Sequence, residues 1–160
     1  SEVGQGFVTL APQIARSVLG VTDAVCDTID TQIGSAGSTS ASRQTWMSGG
    51  AVDGACRLVR ERLFEHVGAK NNIDPIRFAI EDDEIVDTAG TFRMSVNEAS
   101  QGLTISETFE HHHRKTEELD DNGQGNCHVA FAFVAHRAVV DVDPELGLVK
   151  VVHLLPALAL

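Results

Sequence analysis

The chain has 160 residues, with 12 Lys and Arg against 23 Asp and Glu, for a formal charge of −11 near neutral pH. That length sets the scale of one ordinary domain or part of a larger one, and 42% hydrophobic with 22% charged residues is a globular composition, not a disordered one. The acidic balance and the scarcity of aromatic platforms (seven Phe, one Trp, no Tyr) exclude nucleic acid as an expected partner.

Residues 7–19 carry Phe7, Leu10, Ala11, Ile14 and Val18 at helical spacing, opened by Gly4-Gln5-Gly6 and stopped by Gly20 as a C-terminal cap. Alternation over residues 24–29 predicts a short strand. Residues 34–42 are rich in Gly and Ser but lead straight into a long helix over about residues 44–67, marked by Met47, Ala51, Val52, Ala55, Leu58, Val59, Leu63 and Phe64. Gly49, Gly50 and Gly54 would each weaken an exposed helix by ~1 kcal/mol relative to Ala, so something is expected to pack close to the backbone there.

A small hairpin is predicted from residues 77–80 and 85–86 around the acidic turn Glu81-Asp82-Asp83-Glu84. Ser95 and Glu98 have capping-box spacing for one short helix before Gly102. Residues 103–109 are strand-like, and residues 110–126 form an exposed polar loop. Residues 129–142 and 148–154, joined by Asp143-Pro144-Glu145-Leu146-Gly147, make the clearest hairpin in the chain. The apolar tail over residues 154–160 points to a strand ending inside a larger assembly or to a chain cut where a native protein continues. Composition marks no boundary, and the chain is expected as a single partial domain over residues 1–160. The expected class is α+β in two layers, helices packed on a mixed sheet with a C-terminal antiparallel hairpin.

No apolar run approaches the ~18 residues of a membrane span, and no signal-peptide pattern opens the chain. A cytoplasmic protein without membrane contact is expected. Cys26, Cys56 and Cys127, odd in number and far apart, read as reduced and mostly buried thiols. His111-His112-His113 cannot all face one metal from a regular strand, because successive side chains alternate sides. His128 and His136 read as structural histidines on a strand. No nucleophile triad can be assembled.

Two turns remain as binding candidates. Gly4-Gln5-Gly6 opens a helix, whose free amides and dipole favour an anion, and Gln5 adds an amide that donates and accepts. A plain turn is the competing reading, which is adopted for the second copy, Gly123-Gln124-Gly125. The loop Ser38-Thr39-Ser40-Ala41-Ser42-Arg43-Gln44 also feeds a helix. Its hydroxyls exceed what capping needs, and with Arg43 and Gln44 they fit a polar, phosphate-bearing ligand. It lacks the Gly-Lys-Ser or Gly-Lys-Thr ending of a nucleotide P-loop.

In order along the chain, Glu2-Val3-Gly4-Gln5-Gly6-Phe7, Asp27-Thr28, Gly37-Ser38-Thr39-Ser40-Ala41-Ser42-Arg43, Gly49-Gly50-Ala51-Val52 and Val139-Val140-Asp141-Val142-Asp143-Pro144-Glu145-Leu146-Gly147 resemble the molybdopterin-binding large subunit of the xanthine dehydrogenase and aldehyde oxidase family, over nearly the whole chain. The resemblance implies a molybdenum held by a pterin dithiolene, with the nucleotide form of the cofactor left open. Further implied are 2Fe-2S and FAD centres on partner domains or subunits, and a purine or aldehyde substrate hydroxylated with oxygen from water. It places Gly4, Gln5 and Gly6 on the first cofactor-contacting turn. Thr39, Ser40, Ala41, Ser42, Arg43 and Gln44 fall on the loop beside the metal, with Ala41 near molybdenum. The family's catalytic glutamate lies downstream of anything present, so no catalytic residue is assigned. A fragment that works only with the remainder of its large subunit, and is inactive alone, is expected. The alternative is a binding or assembly module that keeps the fold without the cofactor.

Overall fold

The computed structural model of the chain describes residues 2–27, 30, 32–34, 37–39, 43–129, 131 and 133–159, with residues 158 and 159 described by their backbone alone. The chain divides into two compact units, Ser1–His112 and His113–Leu160, at a point that no shift in composition marks.

In the first unit, α1 (Phe7–Leu19) and α2 (Gln44–Asn71) precede a 3-10 turn (Pro75–Arg77), strands β1 (Phe78–Glu81), β2 (Glu84–Asp87) and β3 (Arg93–Ser95), and the short helix α3 (Val96–Ala99). Helix α1 has the predicted bounds. Gly20 ends it in the left-handed region at φ 68°, its N–H donating to the Arg16 carbonyl at 2.9 Å. A side chain there would also put a Cβ 2.8 Å from the Ile80 carbonyl oxygen, so conformation and space both require glycine. Pro12 stands inside α1 and cannot donate to the Val8 carbonyl, a cost that packing against α2 must offset.

Helix α2 outruns its predicted end by several residues. Gly68 does not break it, because the returning chain packs on that glycine, where a Cβ would lie 2.6 Å from the Ile73 carbonyl oxygen. The helix ends at Asn72, in the left-handed region at φ 55°.

The order β1-β2-β3 is antiparallel throughout, with Ile80 opposite Ile85 and Ile85 opposite Met94. The α+β class holds, and the expected mixed sheet is corrected to antiparallel sheets: the short links between these strands cannot carry a parallel crossover. Asp82 and Asp83 form the predicted acidic turn with φ of 49° and 64°, the paired left-handed geometry that suits a two-residue hairpin. Ser95 accepts from the Glu98 N–H at 3.1 Å, as the capping-box spacing requires.

The core gathers Leu63 and Val67 of α2, Phe78, Ile85 and Ala99, with Phe64, Phe92, Leu103 and Ile105 packed around them. Phe64, Phe78 and Phe92 form a run of tilted rings with centroids 5.7 Å apart at each step. At its edge Arg77 grips Asp87 with two bonds, Nε to Oδ1 at 3.0 Å and Nη2 to Oδ2 at 2.5 Å.

Two predicted strands are not formed. Residues 24–27 join no strand ladder among the described residues, with Ala24 half-buried and Val25 90% exposed; residues 28 and 29 fall outside the described residues. Residues 103–109 are extended and alternate in burial from Leu103 to Glu107, but residues 104–112 make no backbone–backbone hydrogen bond among the described residues. Alternation marks a half-buried face; a strand also needs a ladder partner.

The second unit holds the predicted long hairpin, β4 (Phe133–Asp143) and β5 (Leu148–Ala159), antiparallel with a register shift between Val139 and Val140. Asp143 Oδ1 accepts from the N–H groups of Glu145 and Leu146, each at 3.0 Å, and Gly147 takes φ 65° to close the turn. Within the polar loop, Gly123-Gln124-Gly125 is a plain turn closed on Asp120, whose carboxylate accepts from Asn122 and Gln124. His128 and His136 are exposed, not core positions, because the first precedes β4 and the second lies on a ribbon whose described side chains are all exposed. Among the described residues no helix is long and apolar enough to cross a membrane.

Candidate functional site

Gly4 and Gly6 adopt φ of 99° and 80°, folding Glu2 back over the start of α1. Its carboxylate accepts from the N–H groups of Gly4 at 2.9 Å, Gly6 at 3.0 Å and Val8 at 3.1 Å. The amides of Gly6 and then Val8 hold the Glu2 carboxyl below the usual range. The anion that this helix start favours is thus supplied by the chain itself. Gln5 Oε1 accepts from the Val3 N–H at 2.7 Å, so its side chain helps to brace the same turn. Residue-level reasoning missed Glu2, although a carboxylate just ahead of a helix start is a recognisable capping signal.

The start of α2 differs. Arg43 occupies the cap position with no side-chain cap, and no acidic residue stands in the first turn. Arg43 Nε donates to the Ser38 carbonyl at 3.0 Å, and its guanidinium closes on Gly37, where a Cβ would lie 3.0 Å from Nη2. Thr39, Arg43 and Gln44 are therefore placed at this turn. Ser40, Ala41 and Ser42 lie outside the described residues.

Two contacts fix how the helices run. A Cβ at Gly49 would stand 3.1 Å from Ile14 Cδ1, and Arg60 Nη1 donates to the Val18 carbonyl at 2.7 Å. Residue numbers rise together along both helices, so α1 and α2 point the same way through their contact. Both carboxyl-terminal halves reach the sheet. Thr22, just past α1, binds Asp83 in the β1–β2 turn through N at 2.7 Å and Oγ1 at 2.5 Å, while Leu63 and Val67 enter the core. The amino ends share the other end of the pair, with Phe7 about 10 Å ahead of Ile14 and Gln44 about 7.5 Å ahead of Gly49 at 1.5 Å per residue. The two positive dipole ends therefore lie toward the same end of the helix pair, one holding Glu2 and the other carrying Arg43.

The glycines of α2 do what their cost implied. Gly50 faces the His111 ring, 2.8 Å from an ideal Cβ, and Gly54 faces Phe109 at 2.2 Å. Glycines four apart on the helix meet residues two apart on the extended segment, matching one helical turn to one strand repeat. His111 turns inward, edge-on to Trp46 with centroids 6.0 Å apart, while His112 and His113 are exposed. Near them Asp53 is held below the usual carboxylate range, first by its hydrogen bond with Arg57 at 2.7 Å. Cys56 is half-buried and its thiol is pushed up, mainly by desolvation. Cys26 is exposed, correcting the expectation of mostly buried thiols, because residues 25–27 lie on the surface outside any helix or strand.

The donor set at this end fits a polar anionic guest: a helix start to which Arg43 gives no side-chain cap, a guanidinium and a hydroxyl at the second turn, and a first turn built to hold a carboxylate. No curated protein matches the sequence. The model of the molybdopterin cofactor-binding domain matches residues 1–157, and the chain belongs to that family.

Proposed function

We propose that the chain contributes the cofactor-contacting end of a molybdenum hydroxylase of the xanthine dehydrogenase and aldehyde oxidase type, an oxidoreductase that inserts water-derived oxygen into a purine or related heterocycle. The observation that carries this reading is the common direction of α1 and α2, which supports a shared pocket for the Gly4-Gln5-Gly6 turn and the Thr39-to-Gln44 loop. In it Arg43 and the amides of the first turn of α2 would hold the phosphate of the pterin, because α1 already carries Glu2. Gln5, fixed by the Glu2-braced turn, would meet the guest from the α1 side, and Ala41 would leave room for the metal. Molybdenum, when bound, supplies the two-electron redox chemistry. The residues of this chain bind and orient, and the base that moves the proton belongs to the remainder of the large subunit. Electrons would leave through partner iron-sulfur and flavin groups.

The test is turnover by the chain assembled with the rest of its large subunit and the iron-sulfur and flavin subunits, in a host that makes the cofactor. Hypoxanthine oxidation with label from heavy-oxygen water is expected, and none from the 160-residue chain alone. Oxidation of aldehydes only would overturn the purine assignment. Turnover by the isolated chain would overturn the division of labour.

A further inference from the structure

We infer that Trp46 is the aromatic platform on which the pterin ring of the cofactor stacks, an inference that rests on the cofactor reading of the paired helix starts. Trp46 is the one tryptophan of the chain and stands in the first turn of α2, three residues after Arg43. Its neighbours fix the direction of its side chain. At 3.6 residues per turn, Gly49 stands about 60° to one side of Trp46 and meets Ile14 of α1, whereas Gly50 stands about 40° to the other side and meets the His111 ring. Trp46 thus points into the angle between α1 and residues 109–111. It also lies about 4.5 Å nearer the amino end of α2 than Gly49, and helical side chains lean toward that end. The indole is therefore carried toward the end of the helix pair where the Gly4-Gln5-Gly6 turn and Arg43 stand.

One side of the indole is braced and the rest is open. His111 meets it edge-on, with centroids 6.0 Å apart and planes at 78°, yet Trp46 stays 46% exposed. His111 is in turn seated on Gly50, where a side chain would collide with its ring. The His111 Nε2 is buried without a hydrogen-bond partner among the described residues, so packing, and no polar bond at that nitrogen, holds the ring in place. A side chain restrained in this way before binding loses less freedom when a guest arrives.

The chemistry selects the guest. An exposed indole offers an electron-rich face to a flat, electron-poor fused ring, a contact that hydrogen-bond donors at a helix start cannot supply. Arg43 and Trp46 together suit the two parts of a phosphorylated pterin, the anion and the ring, from one turn of one helix. A simple inorganic anion would use Arg43 and leave the indole idle.

The test uses the chain assembled with the remainder of its large subunit and the iron-sulfur and flavin subunits, from a cofactor-producing host. The rate of pterin release at a fixed temperature is followed by the fluorescence of the freed pterin. Trp46→Leu, apolar but without a flat ring, should release pterin about five- to a hundredfold faster than the parent. Trp46→Phe, which keeps a flat ring, should release it at close to the parent rate. The emission of Trp46, taken as the parent minus Trp46→Phe, should be quenched in the loaded assembly relative to the cofactor-free one. Equal release from the parent and Trp46→Leu overturns the inference, as does emission unchanged on loading. Equally fast release from Trp46→Leu and Trp46→Phe, with lowered melting in both, would make Trp46 a packing residue and also overturns it. A raised KM for hypoxanthine with unchanged pterin release puts the substrate on the indole in place of the pterin, and overturns it too. A parent assembly that holds no pterin overturns the cofactor reading itself, and the inference with it, so the two failures are told apart.

Discussion

Replacing Gly54 by Ala separates helix propensity from packing. On an exposed helix the change gains ~1 kcal/mol. Here the new Cβ would lie 2.2 Å from Phe109 Cδ1 and 2.5 Å from Cε1 and Cγ, against an ordinary carbon contact of ~3.5–4.0 Å. Phe109 must retreat by more than 1 Å, and overpacking of this kind costs ~1–3 kcal/mol. Gly54→Ala should therefore fail to stabilise the chain. In a Phe109→Ala background, where the Cβ has room, the same change should stabilise by ~1 kcal/mol. Urea denaturation of the four proteins of this double-mutant cycle measures the difference directly, with an expected coupling of ~1–3 kcal/mol. Gly49→Ala is the internal control, since its neighbour is the flexible tip of Ile14 at 3.1 Å. If Gly54→Ala stabilises the parent and the Phe109→Ala protein equally, the close approach of residues 109–111 to α2 is wrong.

Other outcomes follow from the same contacts. Asp87 is 4% exposed and Arg77 41%, so Arg77→Ala, which strands a buried carboxylate, should cost ~3–5 kcal/mol. Asp87→Ala leaves a guanidinium that water can reach and should cost ~1–3 kcal/mol, both read by chemical denaturation. Pro12→Ala restores a donor inside α1 and should raise the melting temperature, by up to ~3 kcal/mol of stability. The Glu2 carboxyl is lowered on folding, so its contribution is fully present above the ordinary glutamate pKa of ~4.3 and is lost as pH falls through the lower folded value. The gap in melting temperature between the parent and Glu2→Gln should accordingly narrow as pH drops below that range. Thiol labelling should modify exposed Cys26 fastest and Cys56 slowest, because Cys56 is shielded and its thiolate disfavoured.

How far the residues disclosed this molecule depended on whether the signal was local. Helix α1, the two-aspartate turn, the Ser95 cap and the β4–β5 turn each rest on contacts within a few residues, and each was legible. The glycines of α2 announced a close neighbour, but nothing near them named Phe109 and His111. Residues 103–109 show why alternation misled: it reports a buried face, whereas a strand depends on hydrogen bonds to distant chain. The continuation of α2 past residue 67 was hidden for the same reason, since the chain that packs on Gly68 returns only at Ile73 and Pro75.

At the candidate site, Gly4-Gln5-Gly6 and the loop before α2 stood out by composition. The role of Glu2 did not, because an anion-accepting turn reads the same whether its guest comes from outside or from two residues upstream. The result is a division between two helix starts that the motifs alone would treat alike: one is closed by a carboxylate of the chain, and the other has Arg43 at its cap position and no acidic residue in its first turn.

The most direct measurement is the molybdenum and pterin content of the protein assembled with the remainder of its large subunit in a cofactor-producing host, compared with Arg43→Ala and Gln5→Ala variants whose melting is unchanged. Stoichiometric metal and pterin in the parent, lost chiefly in Arg43→Ala and reduced in Gln5→Ala, is the predicted result. A parent without metal or pterin, or variants that retain both in full, would contradict a cofactor seat at the paired helix starts.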